Sequence, residues 1–214
     1  MIKKLLHRVF RGKNTPDPHP ASHAKRYPRR AHGIDRKLIS HAALKTTQEL
    51  QKSGFSAFIV GGAVRDLILG RTPKDFDIAT DATPEQVRRI FRRSRIIGRR
   101  FQIVHVMFGA ETIEVTTFRG SHLAEHGDAH IADSGRILRD NVFGNQEEDA
   151  LRRDFTANAL YYDPQTEEVW DFHHGLADIQ AGLLRMIGDP ETRYREDPVR
   201  MLRAVRLSAK LGLR

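Results

Sequence analysis

The chain has 214 residues, no cysteine, 39% apolar residues and a formal net charge of +9. Lack of cysteine excludes a disulfide framework, a thiolate zinc site and a cysteine nucleophile, and a reducing, cytoplasmic setting is the expectation. No apolar run approaches the roughly 20 residues that span a bilayer, and the length suits one good core or one domain plus part of another.

The charge belongs mainly to the N-terminus. Residues 1–33 hold Lys3, Lys4, Arg8, Arg11, Lys13, Lys25, Arg26, Arg29 and Arg30 against the single acid Asp17, which leaves the rest of the chain close to neutral. Residues 1–33 therefore read as a basic, disordered tail, with a short amphipathic helix over Met1–Lys13 and a mobile linker around Pro16, Pro18, Pro20 and Pro28. A solubilising arm and an RNA- or membrane-surface-binding arm both fit that composition.

Ordered structure is expected from Ile34. Ser40 to Ser53 has Ala43, Leu44, Thr47 and Leu50 at helical spacing, with Gly54 as its stop. Phe55 to Val60 is a short β-prone run, and Ala63 to Leu69 is a helix closed by Gly70. Asp75 to Thr80 reads as a strand with Phe76 and Ile78 facing the core and Asp75, Asp77 and Ala79 facing away. Thr83-Pro84-Glu85-Gln86 is a capping box opening a helix to about Arg92. Strands follow at Ile96-Ile97, Ile103 to Phe108 and Thr112 to Phe118, and Ser121 to Gly135 reads as a mobile loop. Beyond Gln146 come a helix, a strand pair at Leu160–Tyr162 and Val169–Asp171, a short helix at Leu176 to Ala181, a strand at Leu184 to Ile187, and a helix from Asp197 to Leu211. That last helix is apolar on more than one face, so the sequence reads as the N-terminal part of a longer polypeptide.

The chemistry concentrates in two places. Gly61-Gly62 ends an apolar run and leaves bare backbone N–H groups that can approach a phosphate. Asp75 and Asp77 at i and i+2 share a strand face, a geometry for holding a divalent metal. Glu114 points away from its apolar neighbours Ile113 and Val115, and it completes a three-carboxylate cluster if its strand lies beside the first. Hard oxygen ligands of this kind suit Mg²⁺, with Mn²⁺ as a substitute. A lone pair of aspartates on a surface strand is ordinarily just a polar face; the order of strand, glycine pair, helix and Asp-Phe-Asp is what carries the reading.

The run GGAVRDLILGRTPKDFDIAT resembles the opening motif of the class II tRNA nucleotidyltransferase and bacterial poly(A) polymerase superfamily. The resemblance continues through Glu148 to Thr156 (EDALRRDFT) and Glu196 to Arg203 (EDPVRMLR) and covers residues 34–214 almost without a gap. Ile96 to Gly109, with Phe101-Gln102-Ile103, is closest to the bacterial poly(A) polymerases. The resemblance implies an α/β fold, a nucleotidyltransferase-type head with a twisted mixed sheet flanked by helices, over 34–171. The start of a helical neck with base recognition would occupy 172–214, and a C-terminal body would be missing.

It implies template-independent transfer of AMP from ATP to RNA 3′ ends by a two-metal mechanism, with CCA addition to tRNA as the alternative. A non-catalytic RNA-binding module on the same fold is a further alternative. Gly61, Gly62, Arg65, Arg152, Arg153 and Asp154 would hold the nucleotide, Asp75 and Asp77 the metals, and Arg203 would also bind nucleotide. Asp154 counts as a catalytic carboxylate by similarity, while geometry favours Glu114 as the third acid, and the two assignments compete. Asp197 and Arg200 at i and i+3 would read the adenine from one helix face, or form an intrahelical ion pair. The arginines Arg88, Arg89, Arg92, Arg93, Arg95, Arg99 and Arg100 would steer RNA or triphosphate. The eleven histidines, His105 among them, have no metal-ligand spacing, and Trp170 reads as core.

Overall fold

The computed structural model describes residues 23–98, 101–120, 130–131, 137–139 and 142–214. Eight strands form one sheet: β1 (Lys25–Tyr27), β2 (Ala57–Val60), β3 (Asp77–Thr80), β4 (Ser94–Ile97), β5 (Ile103–Phe108), β6 (Glu111–Thr117), β9 (Leu160–Asp163) and β10 (Glu168–Asp171). Their order is β1-β10-β9-β2-β3-β6-β5-β4, and every pairing is antiparallel except β3 with β6. A separate two-stranded ribbon joins β7 (His130–Ile131) to β8 (Ile137–Arg139).

Both faces of the sheet are used. On one, Ile59, Ile78, Val104, Val106, Ile113 and Val115 are buried beneath α2 (His41–Lys52) and α4 (Pro84–Ile90). Ser40 caps α2 by accepting the Ala43 N–H at 3.1 Å, and α4 opens with the expected capping box between Thr83 and Gln86. On the opposite face Phe58, Val60, Ala79, Phe118, Tyr161 and Trp170 form a second core with Ala150 of α5 (Gln146–Arg152). A third cluster seats Phe155 against Leu207, Leu211 and Leu213 at the end of α8 (Val199–Leu211).

Several expectations change. Order begins before Ile34: Lys25–Tyr27 pairs with β10, and α1 (Arg29–His32) follows, so residues 23–33 are not tail. The edge is held because the Arg26 guanidinium lies 3.9 Å from the Trp170 ring centroid, a contact that composition counts cannot register. Met1–Lys13 and most of the 121–135 segment lie outside the described residues, although His130–Ile131 is a ribbon strand. Ala79 does share the face of Asp77, but it is fully buried because α5 and the aromatic cluster cover that part of the face. The strand expected at Leu184 to Ile187 reduces to one bridge between Phe155 and Met186. Instead of one helix from Asp197, the chain makes α7 (Pro190–Glu196), a break at Asp197-Pro198, and then α8. Proline disfavours a helical residue before it, and Asp197 is extended at φ −148°.

Candidate active site

A cleft of about 1050 Å³ opens where the second face of the sheet is not covered, and every residue expected to hold nucleotide or metal lines it. Its floor is the junction of β2 with α3 (Gly62–Ile68). Gly61 sits at φ 72°, ψ −133°, a conformation that side chains with a Cβ avoid. Arg65 is buried directly beneath this turn, its Nη2 3.5 Å from where a Gly62 Cβ would be. Its guanidinium donates to Asp66 Oδ1 from Nε (2.9 Å) and Nη2 (2.6 Å) and to Asn158 Oδ1 from Nη1 (2.5 Å).

The acidic wall comes from register. Asp77 of β3 is the direct parallel-strand partner of Glu114 on β6, and Glu114 is the antiparallel partner of His105 on β5. Paired positions on adjacent strands project to the same face, so these three side chains form a row. His105 Nε2 lies 3.4 Å from Glu114 Oε1. Burial and the neighbouring Glu114 carboxylate push the Asp77 carboxyl up to about 6, against the pull of Arg153. Asp75 falls before the strand starts and is exposed, so the two aspartates do not form an i, i+2 strand pair. Asp77 and Glu114 are brought together by strand register as the sequence required, and Asp75 stands two residues before Asp77; among the described residues no three acidic or imidazole groups stand together as a preformed metal site. The donor set remains hard oxygen, and two repelling carboxylates fit a Mg²⁺-type ion that completes its shell with substrate phosphate and water.

The opposite wall is cationic and heavily cross-linked. Arg153 donates to Asp149 Oδ2 from Nε (3.2 Å) and Nη2 (3.0 Å), to the Tyr161 hydroxyl (3.0 Å) and to the Asn158 carbonyl (3.3 Å). Tyr161 in turn donates to Asp149 Oδ2 at 2.6 Å. Burial opposes the Arg153 charge, but Tyr161 and Asp149 outweigh it and raise its pKa. Arg152 donates to the Gly120 carbonyl at 2.7 Å. Asp154 is buried; its Oδ1 accepts from the Phe155 N–H (2.8 Å) and Asn158 Nδ2 (3.2 Å), and Arg203 Nη2 lies 2.6 Å from its Oδ2.

Asp197 and Arg200 do not share a helix face as expected. Asp197 ends α7, whereas Arg200 belongs to α8 and donates to Glu196 Oε2 (2.9 Å) and the Arg193 carbonyl (2.8 Å). Arg193 bridges the same Glu196 (2.9 Å) to the carbonyls of Arg152 and Arg153 (2.7 Å each), tying α7 to the end of α5. Residue-by-residue reading missed Asp149, Tyr161, Asn158, Arg193 and Glu196. The i, i+4 spacing of Asp149 with Arg153, and of Glu196 with Arg200, is the signal that points to two of these links. By contrast Arg88, Arg89, Arg92, Arg93 and Arg95 are exposed and line none of this cleft, and Arg99 and Arg100 lie outside the described residues.

Residues 57–185 match the poly A polymerase head domain. Poly(A) polymerase I of Escherichia coli O6:H1 is 57% identical over 190 residues, covering 87% of this chain and 41% of that protein. A CCA-adding enzyme of Lactobacillus helveticus is 42% identical over 169 residues, covering 79% of this chain and 40% of its own length. The crystal structure of the Bacillus stearothermophilus CCA-adding enzyme in complex with CTP matches with a TM-score of 0.67 at 38% identity, over 80% of this chain and 39% of that one. The chain thus spans about 41% of the length of the first of these relatives. With the family domain covering more than half of its residues, the chain belongs to the poly A polymerase head-domain family.

Proposed function

We propose that this chain carries the nucleotide-handling half of a template-independent RNA adenylyltransferase. The 3′-oxygen of RNA attacks the α-phosphorus of ATP, the bond to the β-phosphate oxygen breaks, and pyrophosphate leaves. The observation that carries the reading is the pairing of Asp77 with Glu114 across two parallel strands, facing a glycine turn underlain by Arg65. Greater identity to a poly(A) polymerase than to a CCA-adding enzyme supports adenylate as the product.

In this reading Gly61 and Gly62 let the triphosphate approach the backbone, and Arg65 and Arg153 supply positive charge from positions locked by hydrogen bonds, so little reorganisation is needed when substrate arrives. Arg152 and Arg203 add charge at the rim. Asp77, Glu114 and Asp75 would hold Mg²⁺, or Mn²⁺ in its place, which lowers the pKa of the 3′-hydroxyl and neutralises the leaving group. Asp154, already paired with Arg203, orients that arginine and the ribose, and Glu114 is the third acid of the metal side. Asp197 and Arg200 face the adenine, Arg200 being fixed in advance by Glu196.

An RNA oligonucleotide and a tRNA lacking its 3′ end, each offered the four nucleoside triphosphates separately, test the proposal. Mg²⁺-dependent incorporation of AMP into the oligonucleotide is expected. Preference for CTP on the tRNA would replace adenylation by CCA addition. Mg²⁺-dependent RNA binding without transfer would leave the non-catalytic reading.

A further inference from the structure

The cleft is lined mostly by charged groups, and most of its apolar lining is sealed. Val60, Ala63 and Leu207 are 1%, 4% and 6% exposed. Two apolar side chains of the lining instead reach solvent: Leu151 on α5, 55% exposed, and the half-exposed Phe101 leading into β5. Above the Phe101 ring, at 4.6 Å from its centroid, lies the guanidinium of Arg119. A triphosphate and two metal-binding acids have no use for such surfaces. A flat group with apolar faces does.

Arg119 is placed with more support than a rim arginine needs. Its backbone N–H donates to Asp149 Oδ1 at 3.2 Å, and it bridges Phe143 in a short antiparallel contact flanked by Gly120 N–H to Val142 carbonyl and Gly144 N–H to Phe118 carbonyl bonds of 2.8 and 2.9 Å. The same Asp149 holds Arg153 and Tyr161 through its other oxygen. The pair therefore stands on the network that fixes the cationic wall. Arg119 follows the strand that carries Glu114, whereas Asp197, Arg200 and Arg203 belong to the segment from the end of α7 into α8.

Five residues separate Glu114 from Arg119, at most roughly 17 Å at 3.3 Å per residue. That is the reach of about two nucleotides from a 3′-hydroxyl held beside Asp77 and Glu114. Arginine planes and aromatic rings are the usual stacking partners of unpaired RNA bases. We propose that Arg119 and Phe101 form a stacking platform for a base of the RNA acceptor within two nucleotides of its 3′ end. The proposal rests on the adenylyltransferase reading for the identity of the acceptor, and it adds a subsite distinct from the one that reads the incoming nucleotide.

The test uses RNA oligonucleotides carrying 2-aminopurine at the last, second-to-last or fifth-from-last position, titrated with the chain and with its Phe101→Ala and Phe101→Trp variants. Stacking quenches this base, so fluorescence at one of the two terminal positions should fall severalfold on binding, with little change at the fifth. Phe101→Ala should abolish the quench and weaken RNA binding by about tenfold to a hundredfold, the range of one lost base stack, with ATP affinity unchanged. Phe101→Trp should restore both. A terminal quench indifferent to Phe101→Ala, or a loss of ATP affinity in its place, overturns the platform. AMP transfer with an indifferent quench removes the platform and leaves the enzyme reading. A Phe101-dependent quench without transfer to any acceptor keeps the platform and removes the enzyme.

Discussion

One face of the sheet is divided into two halves built on the same alternation but put to opposite uses. Across β2, β9 and β10 it carries Phe58, Tyr161 and Trp170, whose rings pack within 5.0–6.1 Å of one another or of Phe58 and which are closed over by α5. Across β3, β6 and β5 it carries Asp77, Glu114 and His105, of which the two acids are left open as a wall of the cleft. Period-two patterning places side chains on a face; whether that face becomes core or site depends on whether a helix covers it. Asp77 stands at the border, two residues before the buried Ala79, and its carboxyl at about 6 reflects that half-covered position beside another acid.

The strongest way to break the comparison is to empty the open half. The double substitution Asp75→Ala and Asp77→Ala should cut AMP incorporation by about a thousandfold or more, as loss of metal-holding carboxylates removes charge stabilisation at the transferring phosphorus. The melting temperature should not fall, because neither side chain supports the core. Near-normal incorporation with Mg²⁺, ATP and an RNA primer would remove these acids from the mechanism. Asp149→Ala strikes the joint between the halves. It leaves the half-buried Arg153 and the buried Tyr161 without their carboxylate, and breaking such a pair costs about 3 kcal/mol, the lower end of the range for fully buried pairs. Urea unfolding should report that loss, and a change under 1 kcal/mol would mean that the network carries little.

Legibility followed the same division. Alternation and turn chemistry made the closed half and its helices readable: the cap at Thr83, the strand pair around Val169, and Trp170 as core. The glycine turn and Asp77 were legible because few residue types tolerate that backbone or that neighbourhood. The pairing of Asp77 with Glu114 was readable only as a condition on strand order, since 37 positions separate them and register is a tertiary property. Residues 23–33 looked like tail because composition weighs Lys25 and Arg26 as charge, whereas the fold uses Arg26 against Trp170 and the Lys25–Tyr27 backbone as an edge strand. Asp197 and Arg200 failed as a helical pair because the proline between them breaks the helix.

A smaller effect sharpens the border position of Asp77. Its folded-state pKa lies near 6 against an ordinary 3.8, so between those values the folded chain binds more protons than the unfolded one. Ionised Asp77 therefore lowers stability above pH 6, and that cost disappears below pH 4. Asp77→Asn should stabilise the chain at pH 8 by about 1–2 kcal/mol, after discounting for its partial exposure, and by nothing measurable at pH 4. Added Mg²⁺ should raise the melting temperature of the unaltered chain at pH 8 more than that of the variant. Equal stabilisation at both pH values would show that the gain has another source.

The smallest expected effect belongs wholly to the covered face. Thr83 accepts the Gln86 N–H at 3.3 Å and its own N–H is taken by Gln86 Oε1 at 2.7 Å, closing the first turn of α4, whose Val87 is buried against the sheet. Thr83→Ala opens that box and should cost about 1 kcal/mol. No residue of α4 lines the cleft, so AMP incorporation under stabilising conditions should stay within about twofold of the unaltered chain, the scatter expected of a change far from the reacting groups. A larger fall in activity, with the melting curve accounting for none of it, would mean that the covered face positions the acids of the open half through the strands they share.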